Sequence, residues 1–205
     1  TSVLVANGFT SVTGANSNVV TSTGTGTWRG VKTNIFKSTG KFIFSGTSSG
    51  PKAQIGMAVS AWTAEAAGIL GTPFGSPSSF AVATDTGALL AGSDVTANGT
   101  GVFGSTLSTY TFAVDLGAGK AWVTVNGTTW ANGGNPDAGT NPSFTWAPGS
   151  LQFGVAAQPG VNSGSLTTNL GTSSFGSLTN ASTFALGFGN SDSFVSSFNG
   201  KSGTV

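Results

Sequence analysis

The chain contains no cysteine and no histidine. Without thiols it forms neither disulfides nor thiolate metal sites, and it has no sulfur nucleophile. Without imidazole, serine-type triads, histidine-ligated zinc and His acid–base chemistry are closed to it. Charge is scarce as well: Asp, Glu, Lys and Arg together make up 6% of 205 residues, with a net charge of +1, where about 25% is usual. Such a surface repels itself weakly, which suits a protein living in an assembly or lattice, or an extracellular one solvated by Thr, Ser and Asn. Glu, Lys and Arg, which favour helices, are rare while Gly is abundant, so helix content should be minimal. No apolar run approaches the ~18 residues that span a bilayer, and Thr1 opens without a charged stretch leading into an apolar one, so no membrane partner is expected.

What is present is apolar mass and turn chemistry. Hydrophobic residues reach 38%, with 15 Phe, 5 Trp and 33 Gly, too much core material for a disordered chain and enough turn residues to break it often. Segments with period-two alternation or β-branched and aromatic enrichment recur. They predict strands over Ser2–Val5, Asn18–Ser22, Trp28–Thr33, Gly40–Phe44, Ala53–Ala61, Ser79–Ala83, Ser108–Leu116, Ala121–Val125, Ser150–Val155, Ser165–Leu170 and Thr183–Phe188. So many short strands do not fit one open sheet; two antiparallel sheets packed face to face do. The clearest local signal is a hairpin, in which Tyr110, Phe112, Val114 and Leu116 share one face, Gly117-Ala-Gly119 turns the chain and Trp122 leads the return strand. Ala61–Leu70 is the one helix candidate, of two turns at most. Residues 131–148 read as a Gly/Asn/Pro-rich loop and 198–205 as a loose arm, and no linker divides the 205 residues into more than one domain.

Little in this chain carries chemistry. The acids Glu65, Asp85, Asp94, Asp115, Asp137 and Asp192 are far apart, and only Asp115 lies on a predicted strand, so the two-carboxylate arrangement of a glycosidase is not evident. Asn135, Asp137 and Asn141 lie along one loop as conceivable calcium ligands, although turn formation explains them better; no metal or cofactor is expected. Arg29, Lys32, Lys37, Lys41 and Lys52 make the first quarter basic. They read as guards of strand edges rather than as a nucleic-acid platform, since no interleaved stacking aromatics accompany them. Sugars stack on exposed aromatic faces and bond to amides and carboxylates. That makes Trp62, Trp130, Asn135, Asp137 and Trp146 the candidate ligand-binding residues, with a core or loop-anchoring role as the alternative for each Trp.

The hairpin Phe112-Ala-Val-Asp-Leu to Lys120-Ala-Trp-Val-Thr-Val-Asn-Gly resembles the SPRY domain, a concanavalin-A-like (jelly-roll) sandwich. Other pieces follow in the family's order: Gly26-Thr-Trp-Arg-Gly-Val-Lys, Ser38-Thr-Gly-Lys-Phe-Ile-Phe-Ser, Gln54-Ile-Gly-Met-Ala-Val, Leu151-Gln-Phe-Gly-Val-Ala-Ala and Leu166-Thr-Thr-Asn-Leu-Gly. The resemblance covers about residues 20–176, leaving 177–205 as a C-terminal extension. Where the family carries an acidic residue after its early aromatic strand, this chain has Ser45-Gly46. Domains with these early strands are familiar in structural proteins of tailed bacteriophages. The resemblance therefore implies a non-enzymatic virion-surface protein, a head decoration protein or a fibre or spike module, assembled with copies of itself or other virion proteins and able to attach to host glycan. The alternative is a secreted or cell-surface lectin-like module; an enzyme would need two of the six carboxylates to meet in one cleft.

Overall fold

Along Lys41–Ser48, Thr109–Asp115 and Lys120–Thr124, alternate side chains point to opposite faces of one sheet, the periodicity any extended backbone imposes. Phe44, Tyr110, Phe112, Val114 and Val123 enter the main core, while Ile43, Ala113 and Trp122 pack on the other face. This computed structural model describes residues 9–13, 19–22, 30–33, 35–50, 53–62, 70, 78–99, 108–125, 127–158, 164–171, 174–188, 194–198 and 201–203.

The strands are β1 (Phe9–Thr13), β2 (Val19–Ser22), β3 (Val31–Thr33), β4 (Lys41–Ser48), β5 (Gln54–Val59), β6 (Ser79–Ala83), β7 (Leu89–Ala91) and β8 (Val95–Ala97) in the first half. The second half adds β9 (Thr109–Asp115), β10 (Lys120–Thr124), β11 (Phe144–Trp146), β12 (Phe153–Gln158), β13 (Gly164–Asn169), β14 (Ala185–Leu186), β15 (Phe194–Phe198) and β16 (Lys201–Gly203). One sheet runs β1-β2-β13-β4-β9-β10-β11-β8 with β14 beside β4, and the other runs β16-β15-β3-β12-β5-β6-β7. Pairing is antiparallel throughout except for β14 on β4. The fold is thus the all-β, two-sheet antiparallel sandwich that the alternation predicts.

Aromatic rings fill the space between the sheets. Phe80 of the second sheet lies 4.8 Å from Phe144, 5.5 Å from Trp146 and 5.4 Å from Phe153, each such pair adding about 0.5–1.5 kcal/mol beyond simple burial. The departure at Ser45-Gly46 has a steric cause: a side-chain carbon at Gly46 would lie 2.6 Å from Ile55 of the facing sheet.

The hairpin forms as expected, with Ala121 opposite Val114 and Val123 opposite Phe112. Its turn needs Gly119, whose φ is +66° and whose place is hemmed in by the Trp146 carbonyl. Five expectations are corrected. Phe144–Trp146 is a strand, not loop, because Ala121 and Val95–Ala97 flank it on both sides. Leu89–Ala91 and Val95–Ala97 are edge strands too short to show a period, and Phe9–Thr13 pairs with β2. The predicted strand at Thr183–Phe188 shrinks to two residues. The supposed loose arm contributes Lys201–Gly203, paired with Phe194–Phe198 in the second sheet. The strand predicted at Ser2–Val5, and residues 63–69 of the predicted helix, lie outside the described residues.

Candidate functional site

Both sheets are covered on their outer faces, and the tryptophans do the covering. On the second sheet the outward positions are small, Ala58, Ala81 and Ala156, and Trp62 and Leu70 lie over them. Lys32, pointing outward from β3, donates from Nζ to the carbonyls of Ser60 and, at 2.6 Å, Trp62. Burial lowers its pKa from the ordinary 10.5. On the first sheet Ile43, Ala113 and Trp122 are covered by Trp130, Ala181 and Phe184. This strap is sewn down by Trp130 Nε1 donating to the Thr179 carbonyl at 2.7 Å, Thr179 N to the Gly127 carbonyl at 2.9 Å and Gly187 N to the Ile43 carbonyl at 2.9 Å.

Trp62, Trp130 and Trp146 are 0%, 3% and 6% exposed. The expectation that they present a face to sugar is therefore corrected; two anchor covering segments, and Trp146 stacks on Phe80 in the core. Asn135 and Asp137 are turn builders. Asn135 and Thr140 exchange backbone bonds of 3.1 Å, and the Asn135 side-chain oxygen accepts from Ala138 N at 3.0 Å. Asp137 accepts four bonds of 2.9–3.0 Å from the amides and hydroxyls of Ser182 and Thr183. With both its oxygens engaged, it has little to offer calcium. Among the described residues no three His, Cys, Asp or Glu side chains gather as a metal site.

Partial desolvation pushes the Asp137 pKa up, but the bonds from Thr183 and Ser182 outweigh it and hold the carboxyl at about 2, below its ordinary 3.8. A depressed carboxylate pKa stabilises the fold above the ordinary value, and that stabilisation is lost as pH falls through the folded one. Melting curves should show wild-type protein losing this anchorage between about pH 3.8 and pH 2. Asp137→Asn should lack that acid-sensitive component and melt about 2–4 °C lower at neutral pH, as suits roughly 1 kcal/mol of lost charge-assisted bonding. Identical curves for both proteins from pH 2 to 7 would refute the anchorage.

The cations divide similarly. Lys37 donates to the Phe188 carbonyl and sits 4.5 Å and 4.6 Å from the Phe42 and Phe188 ring centres. Lys41 lies 3.4 Å from Asp115, and Lys120 donates to the Gly139 carbonyl at 2.9 Å. They tie segments together rather than guard sheet edges, a second correction. Arg29 and Lys52 lie outside the described residues.

Among the described residues a depression of about 520 Å³ lies beside edge strand β8, lined by Asn98, Gly99, Asn132, Asn141, Pro142 and Thr145. Asn98 follows β8, Asn132 sits in the 3-10 turn Ala131–Gly133, and Asn141 and Pro142 lead into β11. Asn132 and Asn141 hold φ of 59° and 48°, the left-handed region Asn tolerates better than most residues. Asn98 Nδ2 donates to the Pro142 carbonyl at 3.2 Å and to Thr145 Oγ1 at 3.3 Å; Asn132 Nδ2 donates to the Asn98 carbonyl. Sequence reading missed Asn98, Asn132 and Thr145 as site residues, because Asn-Gly pairs carry the same signature whether they merely turn the chain or line a cleft.

No family model and no curated protein matches the chain. Solved structures do. The SPRY domain of human HERC1 superposes with a TM-score of 0.51 over 77% of this chain and 89% of that one, at 10% identity. The PSpry domain of TRIM65 gives a TM-score of 0.49 over 79% and 90%, at 14% identity. At such identity the first likeness speaks of architecture alone, and the chain has a SPRY-like fold.

Proposed function

We propose that this chain is a non-enzymatic surface module of a tailed-phage virion, a head decoration protein or a fibre or spike domain, that works by assembling with copies of itself or with neighbouring virion proteins. The observation that carries the reading is where the charge goes. All four lysines whose side chains are described bond within the molecule, to Ser60 and Trp62, to Phe188, to Asp115 and to Gly139. Asp94 accepts from Ser78 at 2.8 Å, and Asp137 is engaged four times over. Among the described residues what faces outward is mainly Thr, Ser, Gly, Ala and Asn, a surface with little charge to hold copies apart. The resemblance of the early strands to phage structural proteins supplies the setting.

Light scattering on purified protein should reveal a stable trimer or higher assembly. A strict monomer that stays soluble at high concentration would overturn this reading. The second reading, a secreted or cell-surface lectin-like module, draws on the amide-lined depression beside β8.

A further inference from the structure

We propose that the depression lined by Asn98, Asn132, Asn141, Pro142 and Thr145 is a binding site for a neutral saccharide. The inference rests on the chain being a binding module and is independent of the virion setting. Three carboxamides converge on one uncharged hollow. Their nitrogens are directed inward to the protein: Asn98 Nδ2 to Pro142 and Thr145, Asn132 Nδ2 to the Asn98 carbonyl, Asn141 Nδ2 to the Gly133 carbonyl at 3.4 Å. That polarity leaves the three Oδ1 oxygens without a donor among the described residues, and an amide oxygen has two lone pairs to offer.

A hollow rich in acceptors and free of charge selects ligands rich in donors. Hydroxyl groups of a sugar meet that requirement; phosphate, sulfate and carboxylate groups do not, since they bring further acceptors and find no lysine or arginine in the lining. Pro142 adds a small apolar surface of the kind sugar C–H faces pack against. A volume near 520 Å³ lies in the usual range of ~300–1,000 Å³ for small-molecule sites, and its openness lets a longer chain continue into solvent. The frame is rigid where it matters: Asn98 N donates to the Ser143 carbonyl, and Ser143 N to the Ala121 carbonyl, both at 2.8 Å, so the rim is bonded to the central hairpin.

The test is an array of immobilised oligosaccharides, neutral ones beside sialylated, uronate-containing and sulfated ones, followed by amide-shift titration with the best neutral hit. Binding to neutral glycans is expected, with shifts centred on residues 98–99, 132 and 141–145. Asn132→Gly and Asn141→Gly keep the left-handed backbone while deleting one carboxamide each, and each should weaken binding at least ~10-fold, about 1.4 kcal/mol, with little change in melting temperature. Should either fail to fold, the other provides the same comparison. Leu186→Ser, on the far side of β4 from β11, should bind like wild type. A blank for neutral glycans, a preference for anionic ones, or binding that survives every cleft variant overturns the site. Light scattering on the same sample separates the two proposals: an assembled protein that binds no sugar overturns this one alone, and a monomer that binds sugar overturns only the assembly.

Discussion

Gly56→Ala should leave almost no folded protein. A carbon added at Gly56 would sit 1.9 Å from the Phe80 carbonyl oxygen and 2.6 Å from the Ala81 Cα. Both are backbone atoms of β6, in ladder register with Gly56 opposite Ala81 and Met57 opposite Phe80. No rotamer relieves such a clash; the strand must move. Moving it breaks the β5–β6 ladder and pulls Phe80 away from Phe144, Trp146 and Phe153. Overpacking that side chains can absorb costs about 1–3 kcal/mol. A displaced central strand costs more, against a total stability of about 5–15 kcal/mol. Soluble yield and circular dichroism read the result. Gly149→Ala is the control, since nothing lies within 4 Å of an added carbon there, and the positive φ alone should cost about 1–2 kcal/mol. A Gly56→Ala protein that melts like the control would show that β5 and β6 do not approach as described.

Trp122→Ala should be nearly as damaging and should also disable the amide-lined hollow. Trp122 is 1% exposed, meets Phe184 edge-on at 6.1 Å, and donates from Nε1 to the Thr140 carbonyl at 2.8 Å. Truncating a buried aromatic of this size costs about 3–5 kcal/mol, or roughly 8–15 °C in melting temperature for a domain of this length. Trp122→Phe separates two contributions. It keeps a ring against Phe184 but removes one of the two donors to the Thr140 carbonyl, so a loss of about 1–2 kcal/mol is expected, with faster hydrogen exchange at Asn135, whose amide is the other donor. Equal losses in the two variants would mean that the hydrogen bond, and not the ring, holds the segment.

The strands of the sandwich are legible where large and small side chains alternate for long enough to repeat. Tyr110, Phe112 and Val114 alternate with Thr111 and Ala113, and the residues alone place the hairpin. Leu89–Ala91 and Phe144–Trp146 have three residues each; they become strands because long neighbours offer them partners, and that information lies elsewhere in the chain. The outer faces were hardest to foresee. Trp130 reads in sequence as a loop aromatic, yet Ala181 and Phe184, some fifty residues onward, bury it together with Trp122. That strap buries Trp130, whereas Trp62 is buried over the other sheet and Trp146 in the core against Phe80; the smaller amides beside β8 line the hollow. An Asn in a Gly-rich run carries no sign of which neighbour will meet its nitrogen and which will leave its oxygen bare.

The placement of the lysines has a bearing on durability. Trypsin-like proteases need a cationic side chain that can swing into a deep pocket while several residues on either side stretch out as substrate. Lys32 is clamped beneath the 60–62 turn, Lys37 is wedged between two rings, and Lys120 opens a strand of the central hairpin. At these three positions digestion has to wait for the surrounding structure to open, so cleavage there would follow how rarely the sandwich opens.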